Sequence, residues 1–222
     1  FNLIKGNDIL DLGCGYFQNY ITKNKSNYIN KQFTCMDNDL QLINTCHVKN
    51  KSENINYGVF DFTKTVKQQD DTFGSIKDIY YNKYNSKYDT IIMLNTIHNG
   101  FKDKETKFNL INNIDEFSKK DSVLVIRYLE YDYLKELFNE NNLIVHGNGS
   151  YIRKICDNKI KIYFTWTHQN PIEEIVLTKD TILESFKDKW DIIYEKKNKN
   201  MCSDIWENYF NSFKTIILKK QI

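Results

Sequence analysis

The chain has 222 residues, 41% of them apolar and including 15 Tyr and 14 Phe, which is enough for one α/β domain with a full-sized core. Its formal net charge of +2 comes from 31 basic and 29 acidic residues mixed along the sequence, so composition alone does not single out a nucleic-acid binder. Five cysteines (Cys14, Cys35, Cys46, Cys156 and Cys202), odd in number and without a CxxC pair, argue against a disulfide framework or zinc site and for a reducing compartment.

One proline, eight glycines and no low-complexity spacer leave residues 1–222 as a single domain. No signal-peptide pattern or bilayer-length apolar run is present, so a soluble, cytoplasmic protein with no membrane contact is expected. The first strand starts almost at residue 1, as in a module of a larger polypeptide. The clusters Lys196-Lys197-Asn198-Lys199 and Lys219-Lys220 are candidate RNA contacts, although solvated surface runs account for them more simply.

In chain order, Ile9 to Leu12 reads as a strand, Gln18 to Lys23 as the start of a helix, and Phe33 to Met36 as a strand ending on Asp37. Asn56 to Phe60 is a third strand leading to Asp61. Tyr88 to Met93 is a nearly continuous apolar run of the kind found in central parallel strands. The amphipathic helix Lys104 to Ser118 precedes the strand Ser122 to Arg127, and Lys159 to Trp166 and Phe213 to Lys220 are further strands. This alternation predicts a doubly wound, mostly parallel sheet with helices on both faces and ligands at the carboxyl ends of the strands.

Ile9-Leu10-Asp11-Leu12-Gly13-Cys14-Gly15 runs a strand and a carboxylate straight into a Gly-x-Gly turn, where the backbone can bend tightly and approach a ligand. A dinucleotide site would place a third glycine at position 18, which is Gln18. The motif resembles the opening of the class I S-adenosylmethionine (AdoMet) methyltransferases, a Rossmann-like α/β fold. That resemblance implies AdoMet as cofactor, with Gly13 and Gly15 at the turn, Asp37 on the ribose hydroxyls and Asp61 near the adenine amino group. Asp39 competes with Asp37, which is preferred as the first carboxylate past its strand.

The second half narrows the resemblance. Asp71 to Tyr81, the run Lys87 to Phe101 with Leu94-Asn95-Thr96-Ile97-His98-Asn99-Gly100-Phe101, Ser150-Tyr151-Ile152 and Asn170-Pro171-Ile172-Glu173-Glu174-Ile175-Val176-Leu177 follow one another in order. Together they resemble the mRNA cap guanine-N7 methyltransferases, specifically the methyltransferase domain of the poxvirus-type capping enzyme large subunit. This implies Leu94 as a further cofactor position, and Lys5, within Asn2-Leu3-Ile4-Lys5, at the methionine end of AdoMet. Around the cap guanine it implies His98, Glu174 and Phe213; where the family's aromatics are missing, Tyr16, Phe17 or Phe101 is read as compensating. Its implied partners are 5'-capped RNA, triphosphatase and guanylyltransferase modules in the same polypeptide, and a stimulatory small subunit.

The chain departs from the family pattern at several points. Leu94 replaces a glutamine, Asn95 and Asn99 replace aromatics beside the histidine, and Tyr16-Phe17-Gln18-Asn19 replaces Lys-Gly-Gly-Asp. Two other readings therefore stand beside cap methylation: a catalytically weak methyltransferase-fold subunit that binds RNA or a partner, and a small-molecule AdoMet enzyme. No nucleophile or metal constellation is evident, because cysteines and histidines are not paired at ligand spacing; His47, His146 and His168 are read as structural.

Overall fold

The structure, a computed structural model, describes residues 4–15, 30–49, 52–69, 87–145, 149–163, 165, 170–196 and 213–221. Along the chain come β1 (Asp8–Leu12), β2 (Gln32–Asp37), α1 (Leu40–Lys49), β3 (Ile55–Val59), β4 (Tyr88–Leu94), α2 (Lys104–Phe117), β5 (Ser118–Leu129), α3 (Tyr131–Lys135), β6 (Leu143–Val145), β7 (Tyr151–Cys156), β8 (Lys159–Tyr163), β9 (Ile172–Ile175), α4 (Lys179–Phe186), β10 (Trp190–Lys196) and β11 (Phe213–Lys220). The expected helix from Gln18 and the segment Asp71 to Tyr81 lie outside the described residues, as does Trp166.

Seven strands form the main sheet in the order β10-β11-β5-β4-β1-β2-β3. Strands β1 to β5 are mutually parallel, while β11 runs antiparallel to both β5 and β10. The mostly parallel sheet is therefore as the sequence predicts. Its strands are apolar on both sides because both sides are covered. In β5, Leu124, Ile126 and Tyr128 pack into one core and Val123 and Val125 into the other.

Two helices cover the first face. Helix α2 contributes Leu110, Ile114 and Phe117, spaced to form one apolar stripe, and α4 contributes Ile182 and Phe186. Full burial of each such side chain is worth about 1.5–3 kcal/mol. The α2 start is set by Asp103, whose carboxylate accepts from the Thr106 amide at 2.8 Å. On the opposite face α1 lies over β2 and β3, where His47 meets Tyr57 edge-on at 6.1 Å.

A four-stranded antiparallel sheet, β6-β7-β8-β9, is inserted after β5. Its leading and trailing ends lie side by side: the Tyr131 amide donates to Leu177 O at 3.0 Å, and the Leu177 amide to Leu129 O at 3.2 Å. The insert has its own core of Leu134, Ile144, Ile152, Ile160, Ile162 and Val176, closed against Leu129. Lys214 bridges Glu130 at 2.9 Å and Glu195 at 2.7 Å, tying the root of the insert to the edge of the main sheet. Lys219 and Lys220, the C-terminal pair of the basic runs, are engaged by Asp121 and Asp115 at the other end of the sheet. Among the described residues no helix is long and apolar enough to cross a membrane.

The loop after β3 is held by amides. Gln69 donates to Asp61 O at 2.8 Å and accepts from the Asp61 amide at 3.0 Å. From α2, Asn109 donates to Thr63 O at 2.9 Å, and buried Asn113 donates to Phe62 O at 3.1 Å and Lys64 O at 2.8 Å. Asn113→Ala strands two loop carbonyls next to the core, so stability should fall by about 1–3 kcal/mol. Urea unfolding monitored by circular dichroism measures this loss.

Candidate functional site

The strand order reverses its direction of winding between β1 and β4, which opens a crevice at their carboxyl ends. A cleft of about 240 Å³ lies there, lined among others by Gly13, Asp37, Asp61, Thr63, Thr96 and Asn99. Gly13 has φ +72°, and a Cβ on it would stand 2.5 Å from the Thr96 side chain, so both conformation and space demand glycine. The amides of Gly13 and Cys14 donate to Met36 O at 2.7 and 3.0 Å, folding the turn back onto β2. A Cβ at Gly15, φ +52°, meets nothing within 4 Å, so this side of the turn faces open space among the described residues.

Asp37 organises the crevice. One carboxylate oxygen accepts from the Gly15 amide at 3.0 Å and the other from the Asp39 amide at 3.1 Å. Each oxygen keeps a second lone pair for a ligand hydroxyl. The Asp39 carboxylate instead caps α1, accepting from the Gln41 and Leu42 amides at 2.9 and 3.1 Å. Asp61 accepts the Thr63 hydroxyl at 2.6 Å and the Thr63 amide at 3.0 Å on one oxygen. The structure thus brings Gly13, Asp37 and Asp61 to one cleft.

A second constellation lies between the main sheet and the insert. Ile97, fully buried, anchors the 3₁₀ turn Ile97–Phe101, and His98 on that turn reaches β9. Its Nε2 is 2.8 Å from Oε2 of Glu174, with the two side chains 14% and 29% exposed. Neighbouring Glu173 points the other way, to Lys159. Two residues 76 positions apart in sequence, both read as guanine contacts, therefore meet.

No protein-family model matches the chain. The catalytic subunit of the mRNA-capping enzyme of fowlpox virus is 23% identical over 175 residues, covering 76% of this chain and 18% of that protein. The chain therefore matches less than a fifth of the length of that relative. An AdoMet-dependent methyltransferase from Clostridium acetobutylicum superposes with a TM-score of 0.64 at 16% identity, covering 100% of this chain and 86% of that one. This is the class I AdoMet-dependent methyltransferase fold. An amino pentose methyltransferase from Micromonospora echinaspora, solved with AdoMet bound, matches with a TM-score of 0.63 at 9% identity over 98% of this chain and 84% of that one.

Lys5, Leu94 and Phe213 are not among the residues that line the cleft of Gly13, Asp37 and Asp61. Lys5 is not at the cleft: its amide donates to the Thr90 hydroxyl at 3.1 Å and its carbonyl accepts from it at 2.7 Å, beside the early part of β4. The short stretch before β1 fixes Lys5 at the amino end of the sheet, opposite the crevice. Leu94 ends β4 and packs into the second-face core with Ile9, Phe33 and Ile92. Phe213 opens β11 against the insert core, with the Arg127 guanidinium over its ring at 5.1 Å. Tyr16, His146 and His168 lie outside the described residues.

Arg127 escapes the sequence reading, and the settings of Asn95 and Asp11 emerge only in the structure. Arg127, cross-strand from Leu94, places a half-buried cation at the carboxyl end of β5, and burial pulls its pKa down from the usual guanidinium value. Asn95 adopts φ +62°, a left-handed conformation that asparagine tolerates far better than the aromatic found there in the family pattern. Asp11 is buried beside the turn, and its pKa is pushed up to about 7, first by burial and then by the charge of Asp37. Among the described residues no group of three or more His, Cys, Asp or Glu could hold a metal ion.

The Asp11 carboxyl keeps its proton in the folded chain up to about pH 7, against 3.8 for the ordinary group. The folded state binds more protons across that window, so this contribution is full below about pH 4 and is lost as pH rises towards 8. The loss is on the order of 4 kcal/mol. In Asp11→Asn it is absent, so urea midpoints measured from pH 5 to 8 should show the variant gaining steadily on the parent; parallel curves would contradict the raised pKa.

Proposed function

We propose that the chain is an AdoMet-dependent methyltransferase whose acceptor is guanine N7 of the 5' cap of mRNA. The observation that carries the acceptor is the His98–Glu174 pair at 2.8 Å, which joins the turn after β4 to the inserted sheet. The similarity to the fowlpox virus capping-enzyme subunit supports the same reading.

The cleft suits an adenosyl group. Its Gly-x-Gly turn leaves room for close approach, Asp37 retains lone pairs for ribose hydroxyls, and Asp61 lies across the same cleft for an amino donor. Bound AdoMet supplies a methyl group on a positively charged sulfur. Guanine N7 already carries an accessible lone pair, so transfer needs no general base, and the chain contributes positioning and electrostatics.

His98 holds one oxygen of Glu174, fixing the carboxylate while leaving lone pairs for the guanine N1 and N2 donors. A fixed negative charge there opposes the positive charge that the purine gains on N7 methylation. Arg127 and Phe213 form a stacked cation–aromatic wall at the same end of β5. Triphosphatase and guanylyltransferase modules and a stimulatory subunit are proposed with this activity.

The test separates cofactor from acceptor. Asp37→Ala removes a charged hydrogen-bond acceptor and should weaken AdoMet binding, read by calorimetry, roughly 10- to 100-fold. Glu174→Ala should lower methyl transfer to GpppA-capped RNA by a similar factor while AdoMet affinity stays unchanged. Equal loss of both in the Glu174 variant would contradict the role given to it. Transfer to GpppA-capped RNA, with none to m7GpppA-capped or uncapped RNA, is the expected acceptor profile; AdoMet binding with no transfer to any of them would favour the catalytically weak subunit.

A further inference from the structure

The inserted sheet has two unlike faces. Ile144, Ile152, Ile160 and Ile162 fill its buried core, and cross-strand register puts Glu174 on that same side, opposite Ile160. The alternate residues Val145, Tyr151, Arg153, Ile155, Lys161 and Tyr163 form the other face, which is exposed or half-exposed. On it Tyr151 and Tyr163 are cross-strand partners with ring centroids 5.5 Å apart and planes inclined by 32°. The Arg153 guanidinium lies 5.7 Å from the Tyr151 ring centre, and Lys161 is cross-strand from Arg153.

Cations outnumber carboxylates on this face among the described residues: Arg153, Lys159 and Lys161 stand with one carboxylate, Glu173, the cross-strand partner of Lys161. Lys159 engages Glu173, the carboxylate next to Lys161, while Arg153 and Lys161 make no ion pair among the described residues. A tyrosine pair that could fill a core is left at the surface, bracketed by cations. Aromatic rings for stacking beside cations that follow a backbone are the two elements of single-stranded nucleic-acid binding. A protein partner for the same face would have to offer carboxylates at phosphate-like spacing, and nothing in the pattern requires that.

We infer that the Tyr151–Tyr163 face of the insert binds the single-stranded RNA that follows the cap. This rests on the cap reading for its biological substrate, but the surface itself predicts affinity for uncapped RNA. Glu174 stands on β9, one strand away from Lys161, so nucleotides leaving a guanine held at Glu174 cross the β9 edge to reach Lys161 and Tyr163. Bases stack on the rings, and Arg153 and Lys161 meet the phosphates.

The probe is a short, uncapped, fluorescein-labelled single-stranded oligoribonucleotide, with binding to the full chain read by anisotropy across a salt series. The parent chain is expected to bind with salt-dependent affinity. Arg153→Gln/Lys161→Gln should weaken binding and flatten the log–log salt slope by about 1.4, from two lost phosphate contacts on a single strand. Tyr163→Ala should weaken binding roughly tenfold with the slope unchanged. AdoMet affinity serves as the folding control for both variants, since neither touches the cleft.

No binding by the parent, or equal affinity in parent and both variants, overturns the inference and returns the face to a protein partner. Methyl transfer to the free dinucleotide GpppA separates this from the cap reading. A chain that methylates GpppA but binds RNA equally in all forms loses only the RNA face. A chain that binds RNA as expected but leaves GpppA unmodified loses only the cap assignment.

Discussion

The reversal of winding between β1 and β4 is the constraint on which the rest of the molecule depends. Parallel strands joined by right-handed crossovers must send their connections to opposite faces on either side of that point, so the two central strands end without a connection roofing them. The crevice left there cannot be filled by the sheet itself. Gly13 and Gly15 keep it open by lacking side chains, and Asp37 holds their turn in place through the Gly15 amide. Asp61 reaches the same space only because Gln69, Asn109 and Asn113 fix the loop that follows β3.

Carboxylates near this crevice occupy different settings. Asp37 is solvated by backbone amides, Asp39 is committed to the first turn of α1, and Asp11 is enclosed. A negative charge on Asp11 is opposed by both its burial and Asp37, so the carboxyl holds its proton up to about pH 7, and a nearby cation would lower that value. Glu174 is different again: its charge is directed at a histidine across an interface between two sheets. The cleft of Gly13, Asp37 and Asp61 and the His98–Glu174 pair are thus built from separate parts of the chain.

Much of the fold was legible because burial on both sides leaves a plain signature. The Tyr88–Leu94 run and the strands around Gly13-Cys14-Gly15 read directly as central parallel strands, and the Asp37 and Asp61 positions follow from their order. The antiparallel elements were harder. Strand β10 exposes Ile192, Ile193 and Tyr194 at the sheet edge, so it lacks the alternation that marks a half-buried strand. Strand β6 is only three residues long. At the site, Lys5 was read by its neighbours in sequence, but its placement depends on a side-chain hydroxyl 85 positions away, Thr90. Arg127 and Asp11 gain their meaning from what encloses them, which no local pattern records.

The chain leaves the sheet for the insert and returns to it at one doorway, where Leu129 and Tyr131 leave beside the returning Leu177. Among the described residues two backbone hydrogen bonds close that doorway, and the seven-stranded ladder runs past it unbroken. Evolution can therefore lengthen, shrink or replace everything between the two doorposts without rethreading the sheet or disturbing the crevice.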